Sequence, residues 1–270
     1  MMNLSLYSQM MKTNVKTFFG FGIGSAIYVT LMTSLFPMIE DNMEEIEGMM
    51  DMFPDALLRA LGLETFNNYG QFISAEYYGL FYLLILGVFS VMMAIQLLAR
   101  FVDRGSMAYL LSTRVSRAQV VITQILVLIS GLIIIHILTF GAGFLAGEFL
   151  IETESTIAFS EFFEINFVGF LLFFAVGGYS LLISSMFNDE RNAFSLAGGL
   201  TFLFYGMNMM GKIVTDIEWI RHFTPFSLYE PGKIASGDAD VWLSCIILAA
   251  IGLISYILAV FIFRKRNLPL

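Results

Sequence analysis

Three polar side chains, Gln96, His136 and Asn208, lie within long apolar stretches of the sequence. Polar groups are costly at such depth, so these are the first residues to test for chemistry. His136 stands in Leu132-Ile-Ile-Ile-His-Ile-Leu138, where an imidazole can relay a proton or remain neutral and hydrogen-bonded inside a bundle. No Asp or Glu lies deep in any apolar run to take the proton onward, which favours the neutral reading. The chain has two histidines and one cysteine, Cys245, with no HExxH, no GxSxG and no paired Cys/His spacing. A zinc centre, a metalloprotease and a serine hydrolase therefore lack their ligands or nucleophile. Gly206-Met-Asn-Met-Met-Gly211-Lys212-Ile213 approaches a phosphate-binding loop, but Ile213 replaces the Ser/Thr that holds Mg²⁺ and no strand precedes it. It is rejected as a nucleotide site. The sequence thus predicts no catalytic residue, no metal ligand and no cofactor on this chain.

The elements that carry these residues follow from composition. Of 270 residues, 58% are hydrophobic and 13% charged, against about 45–50% and about 25% in soluble domains. An integral membrane protein is implied. A net charge of −8 argues against a nucleic-acid partner, and the single cysteine rules out a disulfide scaffold. A helix needs about 20 apolar residues to cross the hydrocarbon. Six segments qualify, roughly 18–39, 78–99, 119–147, 165–187, 193–211 and 241–263. No period-2 alternation suggests a barrel. The expectation is a single all-α domain over 1–270 with six transmembrane helices, the first of them not a cleavable signal.

Basic residues orient it. With the N-terminus inside, ten of the fourteen Lys and Arg fall in inner segments, among them Lys12, Lys16, Arg100, Arg191 and Arg264 to Arg266. Only Asp103, Asp189 and Glu190 of the 22 acidic residues do so. Both termini are expected in the cytoplasm, with the protein multi-pass in the cell membrane.

Outside the spans, Leu4, Tyr7, Met11 and Val15 recur at helical spacing and predict an interfacial helix leading into span 1. The outer segment 40–77 interleaves Met43, Ile46, Met49, Met50, Phe53, Leu57, Leu58 and Leu61 with acidic residues, an amphipathic pattern with Pro54 starting a second stretch. Its cluster Glu40, Asp41, Glu44, Glu45, Glu47 lacks EF-hand spacing and reads as a solvated face. After Gly105, Met107, Leu110 and Leu111 share one face of a short helix, flanked by Arg104, Arg114 and Arg117. Too short to be stable alone, that helix must rest its apolar face on membrane or protein. Residues 188–192 form a polar turn, and 212–240 is an aromatic, proline-rich segment suited to an interfacial or partly re-entrant excursion. Gly20-x-x-x-Gly24 and Gly143-x-x-x-Gly147 permit close helix approach, and Gly177-Gly178 and Gly198-Gly199 are candidate flexible points.

Taken in order along the chain, these features resemble the export-type (type-2) permease subunits of ATP-binding-cassette transporters. The carrying residues are Asp103-Arg-Gly-Ser-Met-Ala-Tyr-Leu-Leu-Ser-Thr-Arg-Val-Ser-Arg117, similar to the family's acidic-x-Gly-Thr-x-x-x-Leu-Leu-Ser-x-Pro-Val-Ser-Arg. Ser106 stands for the Thr and Arg114 for the Pro. Phe53-Pro-Asp-Ala-Leu-Leu-Arg-Ala-Leu-Gly62 and Thr224-Pro-Phe-Ser-Leu-Tyr-Glu-Pro231 add to the likeness. The resemblance implies a cytoplasmic coupling helix between spans 2 and 3 that docks on two copies of an ATP-binding subunit. Asp103, Arg104, Gly105, Ser106, Met107, Leu110, Leu111, Arg114 and Arg117 are then docking residues. It also implies a second permease copy or a sister permease, with ATP and Mg bound on the partner. The acidic pair often found ahead of the Gly is reduced here to Asp103, which puts Arg104, Arg114 and Arg117 opposite acidic residues of that partner. The alternatives that the residues leave open are an ATP-independent transporter or channel using His136, Gln96 or Asn208, and a non-transporting sensor or immunity protein.

Overall fold

A computed structural model of the chain describes residues 2–42, 53, 68–113, 115–151 and 156–267. The amphipathic stretch around Met43 to Leu61, the Phe53–Gly62 motif apart from Phe53 itself, and Arg114 lie outside the described residues. All regular structure among the described residues is helical, and six helices are long and apolar enough to cross a membrane.

Helix α1 spans Leu4–Glu40, with Asn3 as N-cap, its side chain accepting the Leu6 N–H at 2.9 Å. Its 37 residues reach about 55 Å at 1.5 Å per residue, far more than the ~30 Å of hydrocarbon. The helix expected ahead of span 1 forms the first turns of this same helix, unbroken into the span. Contacts explain the continuity: Leu6 and Met10 are buried, the Tyr7 hydroxyl bonds Ser130 at 2.7 Å, and the Asn3 N–H donates to Thr123 at 3.1 Å. Of the apolar face read from sequence, Tyr7 and Met11 pack against the core while Leu4 and Val15 are exposed, and the buried Leu6 and Met10 lie outside that face.

Span 2 is composite. Helix α2 (Tyr69–Ile73) passes into a π-helix over Ser74–Phe81 and then into α3 (Tyr82–Leu97). The widened turns bury Ser74, Tyr77 and Tyr78 together, with Tyr82 below them, and such π segments concentrate at functional places. At Leu98 the backbone leaves the helical region (φ −133, ψ −65) before α4 (Ala99–Asp103). The Ala99 N–H, deprived of its helical acceptor, donates to Ser184 Oγ at 2.9 Å. Helix α5 (Ser106–Leu111) follows Gly105, whose φ of +69 is the left-handed conformation that glycine adopts without a Cβ penalty.

Helix α6 (Arg117–Leu150) starts with a capping box between Ser116 and Gln119, α7 spans Phe159–Met186, and α8 spans Glu190–Ile213 with Asp189 as N-cap. Two 3₁₀ helices, Thr215–Phe223 and Pro225–Leu228, lead to α9 (Pro231–Ala235) and α10 (Val241–Lys265). The phosphate-loop look-alike at 206–213 is thus plain helix. α1 packs along α6, and α10 along α7; α7 is the most buried span, α8 the least. The backbones of α7 and α10 come together at Gly178, where a Cβ would lie 3.0 Å from the Gly252 carbonyl oxygen. Gly178 therefore serves packing. Of the glycines in 20–24, Gly22 is the one against α6, within 3.4 Å of Ile135 Cα for an added Cβ, while Gly20 and Gly24 face open space. Gly143 does meet Val29 and Phe162 as its pattern suggested.

Candidate functional site

Both termini, α5 and the turn 187–190 gather at one end of the bundle. Asp103 Oδ2 accepts the Glu190 N–H at 3.2 Å, and Arg100 lies 3.6 Å from the Glu190 carboxylate, so the two loops at this end are joined. Arg266, counted from sequence only among the inner basic residues, donates to the carbonyls of Ser185 (2.8 Å) and Phe187 (2.9 Å) and to Asn188. It closes the C-terminal carbonyls of α7. Its own carbonyl accepts from Arg117. Arg117 and Asp103 thus brace the end on which α5 sits.

On α5 the apolar face points into the chain. Met107 is fully buried, and Leu110 and Leu111 are half-buried against the core. That part of the surface is spent holding the helix to its own bundle, which is why six residues stay helical. The free face is different: Tyr109 is 81% exposed, with Arg104, Gly105, Ser112 and Thr113 exposed around it and Ser106 half-buried. Sequence reasoning missed Tyr109 because the helical wheel grouped the apolar residues without telling which side met protein.

Deeper in the bundle, His136 is held at both ring nitrogens. Nδ1 lies 2.8 Å from the Leu132 carbonyl, which can only accept, so Nδ1 carries the proton and Nε2 accepts the Tyr82 hydroxyl at 2.7 Å. The rings of Tyr82 and Phe170 meet it edge-on. Around it runs a set of buried hydroxyls: Ser25 bonds Tyr77 and Thr139, Thr33 bonds Tyr69 at 2.8 Å, and Tyr78 pairs with Asn166. The tyrosines were overlooked because they read as apolar bulk in a span; their spacing at 77, 78 and 82 was the available signal. Gln124, fully buried on α6 with neither amide atom partnered, was also missed.

Asn208 lies toward the other end. Its Oδ1 accepts from Arg221 Nε at 3.2 Å, and Arg221 also pairs with Glu230 and, at 3.6 Å, with Glu218. Lys233 completes the network at 2.7 Å from Glu230. Burial alone would raise the Glu230 carboxyl, but its hydrogen bonds and charges from Lys233 and Arg221 outweigh that and hold it below the usual range. Gln96 is half-buried on α3. No hydrogen bond among the described residues joins Gln96, His136 and Asn208 into one constellation, and no cluster of His, Cys, Asp or Glu suited to a metal occurs among them.

Two independent patterns therefore converge, a six-span helical bundle and a short helix held at the end where the termini meet. A search of curated proteins finds no match. The family profile described as "ABC-2 family transporter protein" matches residues 5–268, nearly the whole chain, and with the fold just described it establishes that this multi-pass membrane protein belongs to the ABC-2 transporter family.

Proposed function

We propose that this permease is the membrane half of an exporter, driven by two separate ATP-binding subunits that dock on α5, and that the end bearing both termini lies in the cytoplasm of the cell membrane. It pairs with a second copy of itself or with a sister permease. ATP and Mg are bound and turned over on the partner, and the present chain contributes contact and movement. The observation that supports this most is the mounting of α5. A helix of six residues has no stability of its own, yet Met107 pins it to the bundle and Tyr109 is left almost wholly exposed. Such a helix is a rigid handle. Force applied to it passes through α4 to the kink at Leu98, and from there along span 2.

Basic residues around the handle support the orientation. Arg104, exposed beside α5, and Arg100, together with Arg264 and Lys265 in the last turn of α10, give this end its positive character. The test is a crosslink. Tyr109→Cys, in a background where Cys245 is replaced by Ser, should join the ATP-binding subunit on addition of a short thiol crosslinker in native membranes. A label reaching Tyr109→Cys only from the external side, or no adduct above the Leu4→Cys comparison, would overturn the reading.

A further inference from the structure

We propose that Glu76 receives the positive charge of the molecule this permease carries, so that its cargo is an organic cation bearing an ammonium. The proposal deepens the permease reading and rests on it. From sequence, span 2 begins at residue 78 and leaves Glu76 outside the membrane. In the structure α2 and the π-helix carry the span back to Tyr69, and Glu76 falls within the π segment.

Contacts of its neighbours fix its depth. The Tyr28 ring lies 6.0 Å from that of Tyr77 and 4.4 Å from that of Phe81, which brings this part of the π-helix level with Tyr28 on span 1. Tyr28 stands twelve residues inside the end of α1 at Glu40, or about 18 Å at 1.5 Å per residue. Span 3 agrees, since Ser25 bonds both Tyr77 and Thr139, and Thr139 is eleven residues inside the end of α6 at Leu150. Glu76 is therefore well within a hydrocarbon layer of about 30 Å. Its side of the helix faces outward. A π-helix bonds residue i to i+5, so Leu80 and Phe81 follow one turn after Glu76, and Leu84 and Val88, both exposed, continue that side along α3. A carboxylate on a face turned to lipid is costly, whereas acidic groups within spans mark substrate or ion pathways. This face of span 2 is thereby assigned to the path.

Charge selects the class of cargo. Glu76 is half-buried, and no Lys, Arg or His among the described residues pairs with it. An anion would be repelled there and a neutral molecule would leave the carboxylate without a counter-charge, while a cation supplies one. The surroundings favour an organic cation over a metal ion. No group of His, Cys, Asp or Glu suited to a metal occurs among the described residues, so Glu76 has no companion ligands. It has aromatic rings instead: Tyr28 and Phe81 are both half-buried, and the Tyr28 hydroxyl lies within electrostatic reach of the carboxylate. Ring faces attract ammonium groups, so the rings and the carboxylate act on the same charge.

The test needs no knowledge of the natural cargo. Leu80→Cys, in a background where Cys245 is replaced by Ser, places a thiol one turn from Glu76 on the half-buried side of the π-helix. The full-length permease in phosphatidylcholine nanodiscs is treated with two water-soluble methanethiosulfonates, one bearing a trimethylammonium and one a sulfonate, and the two rates are compared with those at free cysteine. Both reagents should reach the thiol, with the cationic one favoured at least tenfold more than at free cysteine. Glu76→Gln should bring that preference within threefold of the free-cysteine value, and Glu76→Asp, which keeps the charge, should retain most of it. Tetraethylammonium chloride should slow the cationic reagent at least threefold more than sodium chloride at equal ionic strength, and only where Glu76 is present. Unchanged melting temperatures of the variants show that the fold is kept. A thiol that neither reagent reaches, a preference absent from the parent or surviving in Glu76→Gln, or equal effects of the two salts would overturn the proposal. No ATP-binding subunit takes part, so failure here leaves the permease reading standing.

Discussion

The hydroxyl of Tyr82, the first residue beyond the π-helix, donates to Nε2 of His136 at 2.7 Å while the ring's other nitrogen donates to its own helix at Leu132. Nε2 ties span 3 to span 2, Nδ1 is committed within its own helix, and neither is left to hand a proton on. Tyr82→Phe removes the donor and leaves a buried acceptor unpaired, a cost of about 1–3 kcal/mol. The expected result is a lower melting temperature with transport per folded molecule retained; a loss of transport at unchanged melting temperature would speak for a relay.

The kink at Leu98 gives a second expectation. Ser184→Ala takes the acceptor from the Ala99 N–H inside the bundle, again about 1–3 kcal/mol. Hydrogen exchange at Ala99 should accelerate in the variant, and α5, which hangs from this joint, should exchange faster with it. Unchanged protection at both places would show that the joint is held otherwise.

Acid should loosen the loop that holds Arg221, Glu230 and Lys233. The folded carboxyl of Glu230 lies below its unbound value of 4.5, so its stabilising effect is present above that value and is lost as pH falls through the folded value. Exchange in residues 215–235 should therefore rise below about pH 4.5. Glu230→Gln should show the faster exchange already at neutral pH and little further change on acidification.

Packing at the crossing of α7 and α10 leaves no room for added volume at Gly178. A Cβ at Gly178 would sit 3.0 Å from a backbone oxygen and 3.1 Å from Gly252 Cα, and backbone cannot rotate away as a side chain can. Gly178→Ala should cost about 1–3 kcal/mol, read as a fall in the yield of monodisperse protein and in melting temperature. Gly199→Ala, where an added Cβ meets nothing, is the control and should be neutral.

Hydropathy made the six spans legible, because burying a backbone in lipid demands long apolar helices and little else satisfies that demand. The short helix α5 was legible too, since Gly105 and the apolar triplet after it mark a turn and a face. What the pattern did not carry was direction. Met107, Leu110 and Leu111 form an apolar face on any helical wheel, and only the tertiary fold turns that face inward and leaves Tyr109 out. The same holds at the N-terminus, where Tyr7 bonds Ser130 and the buried Leu6 and Met10 were not on the face read from sequence, while Leu4 and Val15 of that face stay exposed. The π-helix left no mark in composition, for its signature is a bonding pattern rather than a residue preference. Arg266 illustrates a further limit: a basic residue after a span reads only as a mark of the inner side, while its hydrogen bonds to Ser185 and Phe187 depend on a helix that ends about 80 residues earlier in the chain.

The central claim is that an ATP-binding subunit seats on the exposed face of α5. The most direct measurement is a mild-detergent purification of the tagged chain from its native membrane, wild type beside Tyr109→Asp, with identification of co-purifying proteins and an ATPase assay. The account predicts a stoichiometric ATP-hydrolysing partner with the wild type and at least a tenfold loss of it with Tyr109→Asp, the permease itself still folded in the membrane. Reproducible isolation of the wild-type chain without such a partner, or undiminished binding by the variant, would contradict it.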